Sequence, residues 1–341
     1  MKKILKQLPT FAHRTYRGGL ELHEFLHMAD ANDCFLPEDW ISSFTEAKNK
    51  NYIKNEGITR VIVDGKEALI TDAVTPDSFG HGREDSGVLI KLLDAGERLG
   101  IQVHPTKEYA RRMFNVSYGK TECWHILRTR EGMDEPACVY IGFKEHVTRE
   151  IWKDLFDRQD VAGMLDAMHR VEVKPGDTVL VTGGTPHAIG AGCFLLEIQE
   201  PSDYTMRTEK VTLAGQVMTP MQIHYGVGED NMLDCFDYTP KTREDIERLF
   251  ILKPRAKEDG STALVTYDDT PCFALSRVDG GAYSACEPCF VTVVVLEDGG
   301  RLTGGGDEFA LTRGDKFFIP AETEFSLTDA KVILCYPPQV G

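Results

Sequence analysis

The stretch VEVKPGDTVLVTGGTPH, residues 171–187, decides the fold. A Gly-Asp turn at Gly176 and Asp177 leads into an apolar strand, and the chain then bends through Gly183, Gly184 and Pro186 before presenting His187. The pattern returns as FALTRGDKFFIPAETEF at residues 309–325. Setting Gly176 on Gly314 brings His187 onto Phe325. A Gly-Asp turn before a buried strand, closed by a Gly- or Pro-containing corner, is how small jelly-roll barrels pass between their sheets. Two copies imply two related β domains, one with a potential ligand where the other has an aromatic core residue. The expectation is one working barrel and one that packs.

Working outward, short runs of β-branched and aromatic residues dominate. RVIVDGKEALIT (60–71) has an Asp-Gly hairpin centre, CVYIGF (138–143) alternates, and FVTVVVLEDGGRL (290–302) turns at Asp-Gly-Gly. The fold class is therefore mainly β. Helical signals are fewer. Thr148 caps a segment with Ile151, Trp152, Leu155 and Phe156 inward, and Asp160 caps another with Val161, Met164, Leu165 and Met168 inward. These read as a small helical insertion near 148–169. A third helix, capped by Thr242 with Ile246, Leu249 and Phe250 on one side, precedes the polar stretch KPRAKEDGSTA. That stretch divides the chain into residues 1–252 and a second, degenerate barrel at 253–341.

At 341 residues and 42% hydrophobic content the chain can bury a sizeable core. It holds no apolar run near the roughly 18 residues of a membrane span, and MKKILKQLPTFAH meets Pro9 before a signal-like core develops. A cytoplasmic location away from membranes is expected. Nine scattered cysteines fit reduced thiols, and the close pair Cys286 and Cys289 has no second pair at zinc-ribbon spacing. A formal charge of −16 argues against nucleic acid and anionic lipid as partners. Any anionic ligand then needs a local cluster of cations.

The chemistry gathers in three segments. In GIQVHPTKEYARRMF (100–114), Gln102 and His104 lie two apart and project to one side of a strand, while Val103 points away. Thr106 then caps a helix with Tyr109, Met113 and Phe114 among its buried positions. In GKTECWHIL (119–127), Lys120, Glu122 and Trp124 share one strand face. In GTPHAIGAGCFLLEIQEPSDYTMR (184–207), His187 follows the corner, Glu197 and Gln199 share a face, and Arg207 comes shortly after. Two imidazoles, a carboxylate and an amide oxygen form a nitrogen and oxygen set that suits zinc; iron or manganese would also fit.

The motifs Gln102-x-His104-Pro105, Gly119-Lys120-Thr121-Glu122-x-Trp124, Pro186-His187-Ala188, Glu197-Ile198-Gln199 and Ser202-Asp203-Tyr204-Thr205-Met206-Arg207 together resemble those of type I mannose-6-phosphate isomerases, zinc enzymes of the cupin superfamily. The likeness runs from LIKLLDAGERLGIQVHP into the degenerate second barrel. It implies one zinc per chain held by Gln102, His104, Glu122 and His187. It places Lys120, Glu197 and Arg207 in the active site and Lys91 on the phosphate side, with Trp124 as a pocket wall. Gly100 departs from the serine common in the family on the side that receives the sugar phosphate.

The resemblance implies interconversion of mannose 6-phosphate and fructose 6-phosphate through an enediol. That reaction needs a base near C1 and C2 and a stabiliser of charge on oxygen; Glu197 is the preferred base and Lys120 its competitor. Three alternatives stand beside it: an iron-dependent oxygen-using cupin, a non-catalytic sugar-binding cupin, and an isomerase of an unphosphorylated sugar. The remaining histidines, His13, His23, His27, His81, His125, His146, His169 and His224, read as structural or surface groups.

Overall fold

The protein is described here by a computed structural model covering residues 2–339. Its strands form four antiparallel sheets, paired into two jelly-roll barrels. In the first barrel a seven-stranded sheet runs in the order Ile251–Leu252, Thr178–Val181, Glu122–Thr129, Cys193–Gln199, Leu89–Ala95, Glu38–Ile41, Phe11–Ala12. It faces a five-stranded sheet ordered Met168–Glu172, Cys138–Phe143, His187–Ile189, Gln102–Val103, Met206–Arg207. The second barrel pairs a nine-stranded with a four-stranded sheet. Its larger sheet extends past Lys316–Ile319 into Leu5–Leu8, Arg60–Val63 and Lys66–Leu69, so N-terminal strands complete a sheet built mostly from residues after 253.

Both copies of the repeat fold alike. Gly176 and Gly314 hold φ of 93° and 84°, a left-handed conformation that favours glycine. The strands that follow, Thr178–Val181 and Lys316–Ile319, keep the same offset, as do the strands opening at His187 and Phe325. Phe325 is buried among Val293, Leu302, Phe317 and Leu334.

The strand Cys193–Gln199 explains how the first barrel can hold charge inside. Phe194, Leu196 and Ile198 point outward into the seam between the two large sheets, against Phe273, Phe290 and Phe318. Cys193 and Leu195 point into the first barrel, and Glu197 continues on that side beside Trp124 and Lys91. Each seam side chain contributes roughly 1.5–3 kcal/mol on burial. A one-residue slip would move Glu197 into that apolar seam, so burial on both faces fixes the register.

The capped helices form at Lys107–Phe114, Arg149–Arg158, Val161–Asp166 and Arg243–Leu249, with Thr106, Thr148, Asp160 and Thr242 as caps. Their faces differ in detail from the sequence reading. Ile151 and Leu249 are 41% and 38% exposed, because each helix is short enough to bury only its central stripe, around Trp152 and Phe156 in one and Ile246 in the other. Met168 is buried, but from a strand, since the helix stops at Asp166. The Asp64-Gly65 hairpin forms. The Asp-Gly-Gly turn does not join a hairpin: Val291–Val295 and Arg301–Gly304 belong to different sheets, and the turn carries the chain across the barrel.

Candidate metal centre and its pocket

Two cross-strand rows face each other inside the first barrel. In the seven-stranded sheet Trp40, Lys91, Glu197, Trp124 and Val179 stand in register across five neighbouring strands. In the five-stranded sheet His187 pairs with Gln102, and Gln102 with Arg207. Glu122, two residues before Trp124 and so on the same side of its strand, meets the second row.

Glu122 is the hub. Its Oε2 lies 3.1 Å from His104 Nε2 and 2.9 Å from Lys120 Nζ, and its Oε1 lies 3.4 Å from His187 Nε2. Gln102 brings its amide within 3.2 Å of His187 Nε2. Two glycines make the turn possible: a Cβ on Gly119 or Gly183 would come within 2.7 or 2.8 Å of the Pro105 carbonyl, so larger residues would displace the His104 turn. The Lys120 amide donates to that carbonyl and the Gly184 amide to the His104 carbonyl.

Three observations fit this cluster to a metal ion. One ligand atom from each of His104, Glu122 and His187 lies within 4.8 Å of the others. Each imidazole commits Nδ1–H to a backbone carbonyl, His104 to Tyr204 at 3.0 Å and His187 to Thr185 at 2.8 Å, which leaves both Nε2 atoms as lone-pair donors beside Glu122, with Lys120 Nζ 2.7 Å from that of His104. Both carboxylate oxygens of Glu122 are buried yet accept no hydrogen bond of good geometry. Burial, with help from Lys120, pushes the His104 imidazolium pKa down to about 3 against the pull of Glu122, and burial also lowers His187. Burial works to raise Glu122, but His104 and Lys120 hold it well below the usual carboxylate range. Neutral imidazoles and an ionised carboxylate are the protonation states a divalent cation requires.

Beside the cluster opens a pocket lined by Gln102, Lys120, Lys91, Glu197 and Arg207 among others. Glu197 Oε2 pairs with Lys91 Nζ at 2.9 Å, and Trp124 Nε1–H donates to Glu197 Oε1 at 3.3 Å. Burial raises the Glu197 pKa above the usual carboxylate range; Lys91 opposes that rise and Glu122 adds to it. Trp124 is fully buried, its ring edge on His187. Lys91 is itself buried between Glu197 and Glu38, the latter 3.8 Å away. Arg207 donates to the carbonyls of Thr205 and Gln222. Gln199 is held by the carbonyls of Glu200 and Ser202 and shapes the following turn.

Sequence reasoning missed Arg14, Tyr16, Glu38 and Asp203. Glu38 accepts from Arg14, Tyr16 and Trp40, each at 2.7 Å, and Asp203 lies 3.5 Å from Arg14. Burial acts to raise Glu38, yet Arg14 and Lys91 hold it down to about 2. Asp203 stands inside the Ser202–Arg207 motif without a role of its own there, and no local pattern marks the other three; HRTYRGG and PEDW are ordinary until the fold brings them to the pocket. Gly100 lies there too, with room for a side chain, since a Cβ would meet only Glu209 Oε1 at 3.8 Å.

The barrel and this donor set define the class: a cupin-type β fold with a buried cluster that could hold a metal ion. The sequence profile of "Phosphomannose isomerase type I, catalytic domain" matches residues 13–122, which include Lys91, Gln102, His104, Lys120 and Glu122. Mannose-6-phosphate isomerase ManA of Bacillus subtilis is 28% identical over 238 residues, covering 68% of this chain and 69% of the relative. Mannose-6-phosphate isomerase of Streptococcus mutans is 28% identical over 252 residues, covering 71% of each chain. In fold, the chain superposes on the crystal structure of mannose 6-phosphate isomerase from Bacillus subtilis with a TM-score of 0.75 at 22% identity, covering 97% of this chain and 98% of that one. A mutant phosphomannose isomerase from Salmonella typhimurium gives a TM-score of 0.72 at 15% identity, covering 98% and 100%. The chain is thus similar to type I phosphomannose isomerases in the sequence of residues 13–122 and in overall fold.

Proposed function

We propose that the protein is a zinc-dependent isomerase interconverting mannose 6-phosphate and fructose 6-phosphate, with Gln102, His104, Glu122 and His187 as the residues that hold the metal. Its similarity to mannose-6-phosphate isomerases supports the reaction. The observation that carries the site assignment is the facing of the two rows: a buried carboxylate, Glu197, looks across the pocket at the metal-binding cluster.

The reaction moves a proton between C2 and C1 and a second proton between their oxygens. When bound, the metal supplies a Lewis acid that polarises the substrate oxygens. Glu197 is the base that takes the proton from C2 and returns it to C1. Its Oε2 is buried and accepts no hydrogen bond of good geometry, even with Lys91 in ion-pair reach, so a lone pair is free for the proton. Lys91 favours the ionised form of that carboxylate against the effect of burial, and Trp124 fixes its orientation. Lys120 sets a positive charge beside Glu122 and the pocket, where it balances negative charge growing on the enediol oxygens. Arg207 holds its permanent charge on the pocket's other wall.

Glu197→Gln tests the assignment, because it keeps the shape and removes the base. The expected result is a loss of about 10²–10⁴-fold in kcat with metal content unchanged. A metal-replete variant with near-normal turnover would remove Glu197 from the mechanism. Elemental analysis of purified protein decides between zinc, iron and manganese.

A further inference from the structure

The second barrel puts apolar side chains where the first holds charge, and the repeated turn shows which residues correspond. The Gly176 amide donates to the Ile126 carbonyl, and the Gly314 amide to the Val295 carbonyl. Ile126 pairs with Leu195, and Val295 with Val332. Side chains recur on one face every second residue, so Val291 takes the place of Glu122, and Leu334 that of Glu197. Val291, Leu334 and Phe325 belong to one apolar cluster, which seals the second barrel at the level of the metal site.

One pair farther out the filling stops. Ala274 pairs there with Tyr336, at the positions of Leu89 and Gln199 in the first barrel, and Ser276 pairs with Ala263 beside them. Ser276 shares its strand face with Ala274 and Val278 inside the barrel, while Leu275 lies in the seam. Three side chains this small on neighbouring strands leave a pocket, rimmed by Arg83 and Glu287. Its polar groups are short of partners. Ser276 is 4% exposed, yet its hydroxyl makes no hydrogen bond with another described residue, and the Tyr336 hydroxyl meets only that of Tyr283, at 3.5 Å. Arg83 forms no ion pair among the described residues; its Nη2 donates to the Pro338 carbonyl, which leaves its Nε and Nη1 uncommitted. Glu287 likewise meets no cation among them, whereas Lys257 is matched by Asp259 at 2.9 Å. The rim is built in advance, because Tyr267 also ties the same segment, donating to the Pro337 carbonyl at 2.7 Å.

We propose that this pocket is a second ligand site, taking a small hydroxylated molecule with one anionic group, a sugar acid or a sugar phosphate. The anionic group meets the free edge of the Arg83 guanidinium, which suits both carboxylate and phosphate. Ligand hydroxyls meet Ser276 and Tyr336, where a buried hydroxyl without a partner is costly to leave unpaired. Glu287 accepts from a further hydroxyl and disfavours a second acidic group at the rim. The site shares no lining residue with the pocket beside the metal cluster and stands independently of the isomerase reading.

The test is calorimetry on the full, metal-loaded protein with gluconate and with glucose 6-phosphate as probes. At least one should bind with a Kd of about 1 mM or tighter. Arg83→Gln should weaken that binding about tenfold or more, and Ser276→Ala about threefold or more. Binding of gluconate alone assigns the site to carboxylates, and binding of glucose 6-phosphate alone assigns it to phosphate esters. A probe that enters the pocket beside the metal cluster instead is recognised by its indifference to both substitutions, since neither residue lines that pocket. The melting temperature of each variant reports its fold; Ser276→Ala removes one atom and keeps the question open to measurement if Arg83→Gln unfolds. Failure of both probes to bind at millimolar concentration, or binding that neither substitution weakens, overturns the proposal.

Discussion

The two barrels share a frame and differ in what they put inside it. At the turn after the repeated Gly-Asp strand, one barrel places His187 among Gln102, Glu122 and Trp124, and the other places Phe325 among Val293, Leu302 and Phe317. The second barrel gains stability from its filling, as any apolar core does. The first does so only in part, because beside the apolar cluster around Leu93, Ile126, Val139 and Ile141 its interior holds Lys91, Lys120, Glu122 and Glu197 at 4% exposure or less, each matched by an opposite charge. Buried ion pairs of this kind seldom add net stability. Support comes from outside the first barrel, through the seam where Phe194, Leu196 and Ile198 meet the second barrel's large sheet. The comparison teaches that the packed barrel underwrites the charged one.

The strongest way to break that contrast is to make the first barrel like the second. His187→Phe puts the second barrel's residue into the cluster and removes one proposed metal ligand. Turnover should fall by about 10³-fold or more, and bound metal, read by elemental analysis, should drop well below that of the wild type. Retained metal with retained activity would show that His187 is no ligand.

The reverse operation probes the support. Phe325→Ala opens a cavity in the second barrel and should destabilise the protein by about 3–5 kcal/mol in chemical denaturation. Activity per folded, metal-loaded molecule should remain near that of the wild type, because no part of Phe325 reaches the pocket. A specific loss of kcat in protein shown to be folded would mean that the second barrel shapes the active site directly.

Much of this was legible in the sequence, for reasons that differ by element. The repeat was readable because a left-handed glycine followed by an apolar strand leaves a local mark, and both copies carry it. The cluster was readable because strand periodicity places Gln102 with His104 and Glu122 with Trp124 before any tertiary structure is known. Arg14, Glu38 and Asp203 were not readable, since their roles come from strand neighbours and turns that only the closed barrel brings together. The Asp-Gly-Gly turn was readable as a turn and no more, since turn chemistry tells that the chain reverses, not which sheet it rejoins.

Lys91 is where sequence and structure point to different jobs, and a small effect separates them. The family resemblance sets it on the phosphate side, whereas the structure buries it between Glu197 and Glu38. If its task is to hold Glu197 ionised, its charge works against the burial that raises that carboxylate's pKa. Lys91→Met then leaves burial unopposed, so Glu197 takes up its proton at higher pH. A base must be deprotonated to act, so activity is lost on the acid side, and the acid limb of the kcat/KM profile should move upward in pH. If the task is phosphate binding, the limb stays in place and the change appears as a higher KM for the phosphorylated sugar alone. An upward limb joined to an unaltered KM would give Lys91 to the base, as its burial between Glu197 and Glu38 implies.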